Sequence, residues 1–167
     1  QTAQALITFE VTRRNIVAPK DTSAFVMPKK IPRAIRRYLS ASPYIESRHG
    51  KIRSIAREVT KDKELAWTKA ECIYDYVREN VEYREGKIKG ALASLRDGTG
   101  DCEELTSLFV AICRAAKIPS RMVWIPDHCY PEFYLTDNEG NGHWIPCQVA
   151  GTRNFGGMVE ARPVLQK

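Results

Sequence analysis

Among the five cysteines and three histidines of this 167-residue chain, Cys102 stands where a thiol can become a nucleophile. It follows Gly98-Thr99-Gly100-Asp101 and opens a segment in which Leu105, Leu108, Phe109, Ile112 and Ala116 recur at the spacing of one helix face. One step back along that stripe is Cys102. Asp101 suits an N-cap, and Glu104, three residues on, completes a capping box. A thiol at a helix N-terminus meets unpaired N–H groups and the positive end of the dipole, which favour the thiolate. Glu103 and Glu104 oppose that charge from the same turn. A cysteine buried simply as a small hydrophobe fits the stripe equally well. The assignment therefore turns on what lies downstream.

Asp127-His128 opens an alternating run, Cys129-Tyr130-Pro131-Glu132-Phe133-Tyr134-Leu135, which reads as a strand. After the turn-rich stretch 137–142 comes a second, His143-Trp144-Ile145-Pro146-Cys147-Gln148-Val149, so the pair predicts a hairpin. A helix-borne cysteine, a strand-borne histidine and a polar residue on the next strand follow the chain order of papain-like thiol enzymes.

Four blocks together resemble the core of the transglutaminase-like superfamily. They are Gly100-Asp101-Cys102-Glu103, the run 113–121 from Cys113 to Arg121, His128 through Leu135, and Trp144-Ile145-Pro146. The run 70–83, from Ala70 to Tyr83, resembles the helix that precedes that core, and the match spans roughly residues 60 to 150. The resemblance implies Cys102 as nucleophile and His128 as base. It also implies an aspartate shortly after the tryptophan of the last strand, where this sequence has Gln148. An amide oxygen can hold the imidazole in its working tautomer, as asparagine does in papain-like proteases, although it stabilises the charged ring less than a carboxylate does. Glu132 shares a strand face with His128, but two residues along a strand is about 6.6 Å, too far to orient a ring. Asp127 points to the opposite face by the same period. Gln148 is thus the expected third member of the catalytic triad.

The elements that must position these residues read as an α+β fold: a papain-like, transglutaminase-like core with helices in the first half and an antiparallel sheet in the second. The nucleophile helix lies on the sheet. Residues 1–48 form a lead-in segment, with a strand over 5–14, a second short strand at 24–27 and a helical turn or two within 31–39. Residues 49–167 form the core, the whole being one compact domain. Helices are expected at 49–60, at about 63–80 with Asp62 as cap, at 90–97, and from Cys102 to Lys117. Ala66, Ala70, Ile73, Tyr74 and Val77 face inward. A first sheet strand runs Arg121–Ile125, and the tail 151–158 is loop-rich. Tyr83 and Trp124 are aromatic donors that could line the cleft or assist an oxyanion, although core packing is the plainer reading of both.

Composition narrows the partners. Residues 1–60 carry 12 Lys and Arg against 4 Asp and Glu, whereas 61–167 carry 14 against 16. The basic cluster Lys29-Lys30, Arg33, Arg36-Arg37 lacks aromatic interleaving and any nucleic-acid reading motif, so a solvated basic face is expected and no nucleic acid. No stretch is long and apolar enough to span a membrane. There is no P-loop, dinucleotide fingerprint or Cys-x-x-Cys, and His143 with Cys147 on a strand is more often packing than ligation. Neither a metal nor a cofactor is expected. Cys129 and Cys147 are the one cysteine pair that the hairpin brings near each other. The chain begins at Gln1, which reads as a mature exported protein or a piece of a longer one; the compartment and oligomeric state stay open.

The resemblance implies cysteine-dependent acyl transfer on a peptide or side-chain amide of a peptide or protein substrate. Cys102 attacks the carbonyl, its backbone N–H serves the oxyanion, and a thioester passes to water or to an amine, with hydrolysis the expected outcome. The alternative is a non-catalytic protein-binding module on the same fold with a degenerate triad, supported by Gln148 alone.

Overall fold

The computed structural model describes residues 3–8 and 10–167. Its centre is a single helix. α1 (Gly50–Val59), α2 (Ala66–Asn80) and α3 (Ala91–Asp97) precede α4 (Cys102–Ala115), with two-residue strands β1 (Glu82–Tyr83) and β2 (Thr99–Gly100) paired parallel between them. β3 (Ser120–Ile125), β4 (His128–Thr136), β5 (Gly142–Gln148) and β6 (Asn154–Phe155) form an antiparallel sheet in that order.

α4 is not the one-faced amphipathic helix of the sequence reading. All its residues except Glu103 and Ala115 are buried, because the sheet covers one side and α1, α2 and α3 cover the others. Leu108, Phe109 and Ile112 are wholly buried, and each contributes about 1.5–3 kcal/mol on that account. β4 does not alternate either: every residue from Cys129 to Thr136 is buried. Cys129, Phe133 and Leu135 pack into the main core, while Tyr130 joins Val123, Ile125 and Met158 in a second cluster on the other face. Segments from the two ends of the chain seal that second face. Ile16 bridges Met158, Val26 bridges Thr136, and Arg13 reaches Tyr130 Oη at 3.2 Å.

Several boundaries differ from expectation. Of the strand predicted over 5–14, Phe9 lies outside the described residues and the others form no ladder. The outer edge of β3 is already taken by the tail, where Trp124 N–H donates to Gln166 and Leu165 N–H to Trp124. The short strand at 24–27 reduces to the single bridge at Val26, and the turn within 31–39 is a 3-10 turn at Arg36–Leu39. Asp62 does not cap α2: it sits at φ 58° in the turn after α1, and α2 begins at Ala66 behind an uncapped Leu65. α2 still buries Ala66, Ala70, Ile73, Tyr74 and Val77. Cys129 and Cys147 do not pair, and all five cysteines are free. Cys147 Sγ lies beside Pro131 O, two residues along β4 from Cys129. No helix among the described residues is long and apolar enough to cross a membrane.

Candidate active site

The start of α4 is built by hydrogen bonds that the sequence announces. Asp101 accepts from Glu103 N–H at 3.0 Å and Glu104 N–H at 3.5 Å, and Glu104 Oε2 accepts from Asp101 N–H at 3.3 Å. The capping box is therefore closed. Glu104 does more than cap. Its other oxygen accepts from Lys89 N–H at 2.9 Å, tying the 86–90 loop to the helix start. Gly100 permits this approach, since a Cβ there would stand 2.5 Å from Glu104 Cβ. Asp101 satisfies the second and third N–H groups of the helix, whereas Cys102 N–H has no acceptor among the described residues. That donor is left free at the first residue of α4.

Cys102 is buried, and its thiol is brought down to about 4. The leading cause is the neighbouring Cys129 thiol, whose sulfur lies within 4.8 Å; burial opposes, and His128 and Glu103 lower it further. His128 is raised in return, first by Cys102, against burial, and then by its hydrogen bond with Gln148. Each group stabilises the charged form of the other. Glu103 Oε2 lies 3.1 Å from Cys102 Sγ, and burial pushes that carboxyl up, so the residue opposes the thiolate less than a fully charged neighbour would.

The structure brings Gln148 to His128. Gln148 Oε1 stands 3.0 Å from His128 Nε2. The amide oxygen only accepts, so Nε2 carries the proton and Nδ1 is left for the thiol. The end of β5 holds Gln148 in place from below. Tyr74 Oη donates to Gln148 O at 2.7 Å, and Arg78 donates to Val149 O at 3.0 Å and to Gly151 O at 2.9 Å. Tyr74 Oη also accepts from Asn154 N–H, binding β6 to the same clamp.

The other candidates fall elsewhere. Glu132 is spent on Arg121 at 2.7 Å and Lys167 at 3.2 Å. Asp127 is exposed at φ 56° in the two-residue turn Pro126-Asp127, which sets His128 at the head of β4; it lies on no strand face. Tyr83 is half exposed and, with His128, Ala150 and Gly151, lines a recess of about 320 Å³. Burial first, and then the Cys102 charge, raise its phenol. Trp124 packs against the main core opposite Cys129 in the β3–β4 ladder and is not among the residues lining that recess.

Two features escaped the sequence reading. The Tyr74–Arg78 clamp is a tertiary contact across more than seventy residues, and nothing local signals it. Cys129 follows His128 directly, but adjacent strand residues point to opposite faces, so the sequence gives no hint that it meets Cys102. Cys102 Sγ, Cys129 Sγ and a Glu103 oxygen all lie within 4.8 Å of one another. Among the described residues this is the donor set compact enough for a thiophilic ion. The His143–Cys147 pair weighed from sequence is not such a set, because His143 Nε2 lies 2.8 Å from Asp137.

Comparison with known proteins fits this geometry. Residues 53–149 match the family model described as the transglutaminase-like superfamily. No curated protein matches the chain. A solved structure from Cytophaga hutchinsonii, named a "putative cysteine protease", is 25% identical with a TM-score of 0.62, over 76% of this chain and 45% of that one. A "putative protease" from Parabacteroides distasonis superposes at a TM-score of 0.47 with 15% identity, over 73% of this chain and 29% of that one. The chain thus spans under half the length of either solved relative.

Proposed function

Because the chain belongs to the transglutaminase-like superfamily, we propose that it is a cysteine-dependent acyl-transfer enzyme that hydrolyses a peptide or side-chain amide through a thioester. The observation that carries the reading is the pairing of a depressed Cys102 thiol at the α4 N-terminus with a raised His128 whose far nitrogen faces Gln148.

In the proposed reaction the Cys102 thiolate adds to the amide carbonyl. The oxyanion is met by the free N–H of Cys102. His128, protonated on both nitrogens, gives its Nδ1 proton to the leaving amine as the tetrahedral intermediate collapses. The neutral imidazole then takes a proton from water, which attacks the thioester and releases the acid. Gln148 keeps Nε2–H engaged throughout and is in this scheme a positioning residue. Tyr83 borders the recess beside His128 and lines the cleft that a peptide would enter.

Hydrolysis rather than amine transfer is favoured by the naming of the Cytophaga relative as a cysteine protease; in the chemistry itself only the second nucleophile differs. The test has two arms. Brief iodoacetamide treatment at neutral pH, mapped by mass spectrometry, is expected to label Cys102 ahead of half-buried Cys72 and of the buried Cys113, Cys129 and Cys147. Turnover of a peptide library with and without a primary amine is expected to yield free acid in both cases. Amine-capped product would reassign the enzyme as a transferase. A Cys102 that labels no faster than Cys72, with no turnover, would leave a binding module instead.

A further inference from the structure

Cys129 has no step in the reaction just described, yet its sulfur lies within 4.8 Å of the Cys102 sulfur. It is wholly buried on β4, while Cys102 retains 8% of its surface at the mouth of α4. Their sulfurs lie within 4.8 Å of each other, on two elements packed together in the core. Neither is in a disulfide. The remaining cysteines are placed differently: Cys113 is wholly buried on α4, Cys147 on β5 lies against Pro131, and Cys72 is half-buried on α2.

We propose that Cys102 and Cys129 form an oxidative modification site, in which a peroxide oxidises Cys102 and Cys129 then closes a reversible disulfide that switches the thiol off. This rests on Cys102 being the reactive thiol, as in the function proposed above.

The steps balance. The Cys102 thiolate attacks one oxygen of the peroxide, and the O–O bond breaks. The sulfur gives up two electrons and becomes a sulfenic acid, while the other peroxide oxygen leaves as an alcohol, or as water from hydrogen peroxide, with a proton from His128 or solvent. Cys129 sulfur then attacks Cys102 sulfur. The S–O bond breaks, and the hydroxyl leaves as water with the Cys129 proton. The sum is two thiols and one peroxide giving one disulfide, one alcohol and one water. The thiolate of Cys102, through its hydrogen bond first and its charge after burial, holds the Cys129 proton in place, so oxidation of Cys102 removes that part of the hold and leaves burial. Bringing sulfurs from within 4.8 Å to bonding distance of about 2.05 Å calls for side-chain rotation. Burial makes Cys129 a poor target for the peroxide itself and a ready partner for Cys102.

The consequence is protective as well as regulatory. A sulfenic acid without a neighbouring thiol is carried by a second peroxide to sulfinic acid, with one alcohol or water released, and ordinary dithiols do not reverse that step. A disulfide is reopened by a dithiol, so the oxidised protein keeps its nucleophile in reserve.

The test uses the reduced full chain, with EDTA to strip any thiophilic ion, and a small excess of hydrogen peroxide. Intact mass is expected to fall by about 2 Da and to recover with dithiothreitol. Cys113 shares a tryptic peptide with Cys102, and Cys147 shares one with Cys129, so the link is placed by fragmentation within the joined peptides. In Cys129→Ala the same treatment is expected to add about 32 Da at Cys102, with no recovery by dithiothreitol. If Cys129→Ala folds poorly by circular dichroism, Cys129→Ser supplies the comparison. A wild type that gains mass at Cys102 with no link, a link mapped to another pair, or a Cys129 variant that still recovers would each overturn the proposal. Rapid alkylation of Cys102 without a link sinks the switch alone. A Cys102 that neither alkylates ahead of Cys72 nor oxidises sinks both readings.

Discussion

Cys102 and His128 each hold the other in its charged form, and in the proposed reaction this sets a pH window for turnover. The Cys102 thiol is lowered to about 4, so thiolate persists above that pH and is lost below it. His128 is raised above its ordinary value of 6.5, so imidazolium persists past that point and is lost as pH climbs further. The active pair exists between the two. A kcat/KM profile should therefore show an acid limb near 4 and an alkaline limb above 6.5. Cys129→Ala is expected to move the acid limb upward, since the Cys129 thiol is the leading cause of the depression. An acid limb unmoved in that variant would return the effect to His128 and the helix end. At the same scale, Gln148→Ala should lower turnover by about ten- to a hundredfold, the worth of one hydrogen bond to a charged ring, and leave the fold intact. Gln148→Asp should keep or raise turnover, because a carboxylate orients the ring and stabilises its charge. Steady-state kinetics of the three proteins on one amide substrate checks both. Equal rates in all three would remove Gln148 from the mechanism and leave a Cys102–His128 pair.

The elements place these residues by three different devices. The capping box fixes where α4 begins and hence where Cys102 stands. The two-residue turn Pro126-Asp127 fixes where β4 begins and hence His128. Gln148, at the end of β5 where it pairs with Asn154 of β6, has neither; α2 supplies the constraint through Tyr74 and Arg78. Arg78→Ala should therefore lower kcat more than it raises KM, since it frees the backbone behind Gln148. If Arg78 acts through Gln148, the Arg78→Ala loss should be much smaller in a Gln148→Ala background than in the wild type, a cycle that a purely structural role would leave additive. Full additivity would make Arg78 a stability residue only.

For the whole molecule, the arrangement is concentric. α4 sits inside the helices and the sheet, and the two ends of the chain wrap the outer face of β4. Amides of α4 and β4 should open only with global unfolding, while residues 3–8 and 10–15, which make no ladder, should exchange at once. Native-state hydrogen exchange resolves this by segment. Slow exchange before Ile16 would mean that the segment pairs in solution. The same wrapping explains why both faces of β4 are buried and why the alternation read in 128–135 describes no solvent face.

What could be read from the linear chain was local chemistry. The Asp101–Glu104 box, the glycine before it, the turn-rich stretch 137–142 and the inward stripe of α2 are short-range patterns. Each depends on residues within one or two turns of one another, so each is legible before folding. The candidate partnership of Cys102, His128 and Gln148 came from chain order and family resemblance, and its distances came from packing. Packing also accounts for the misplaced N-terminal strand, since a strand needs a free edge and the tail at Leu165-Gln166 occupies the one at β3. It accounts for the Tyr74–Arg78 clamp, which spans about seventy residues. And it brings Cys129 to Cys102, because a side chain's face on a strand decides whom it meets only once a helix has been laid against that face.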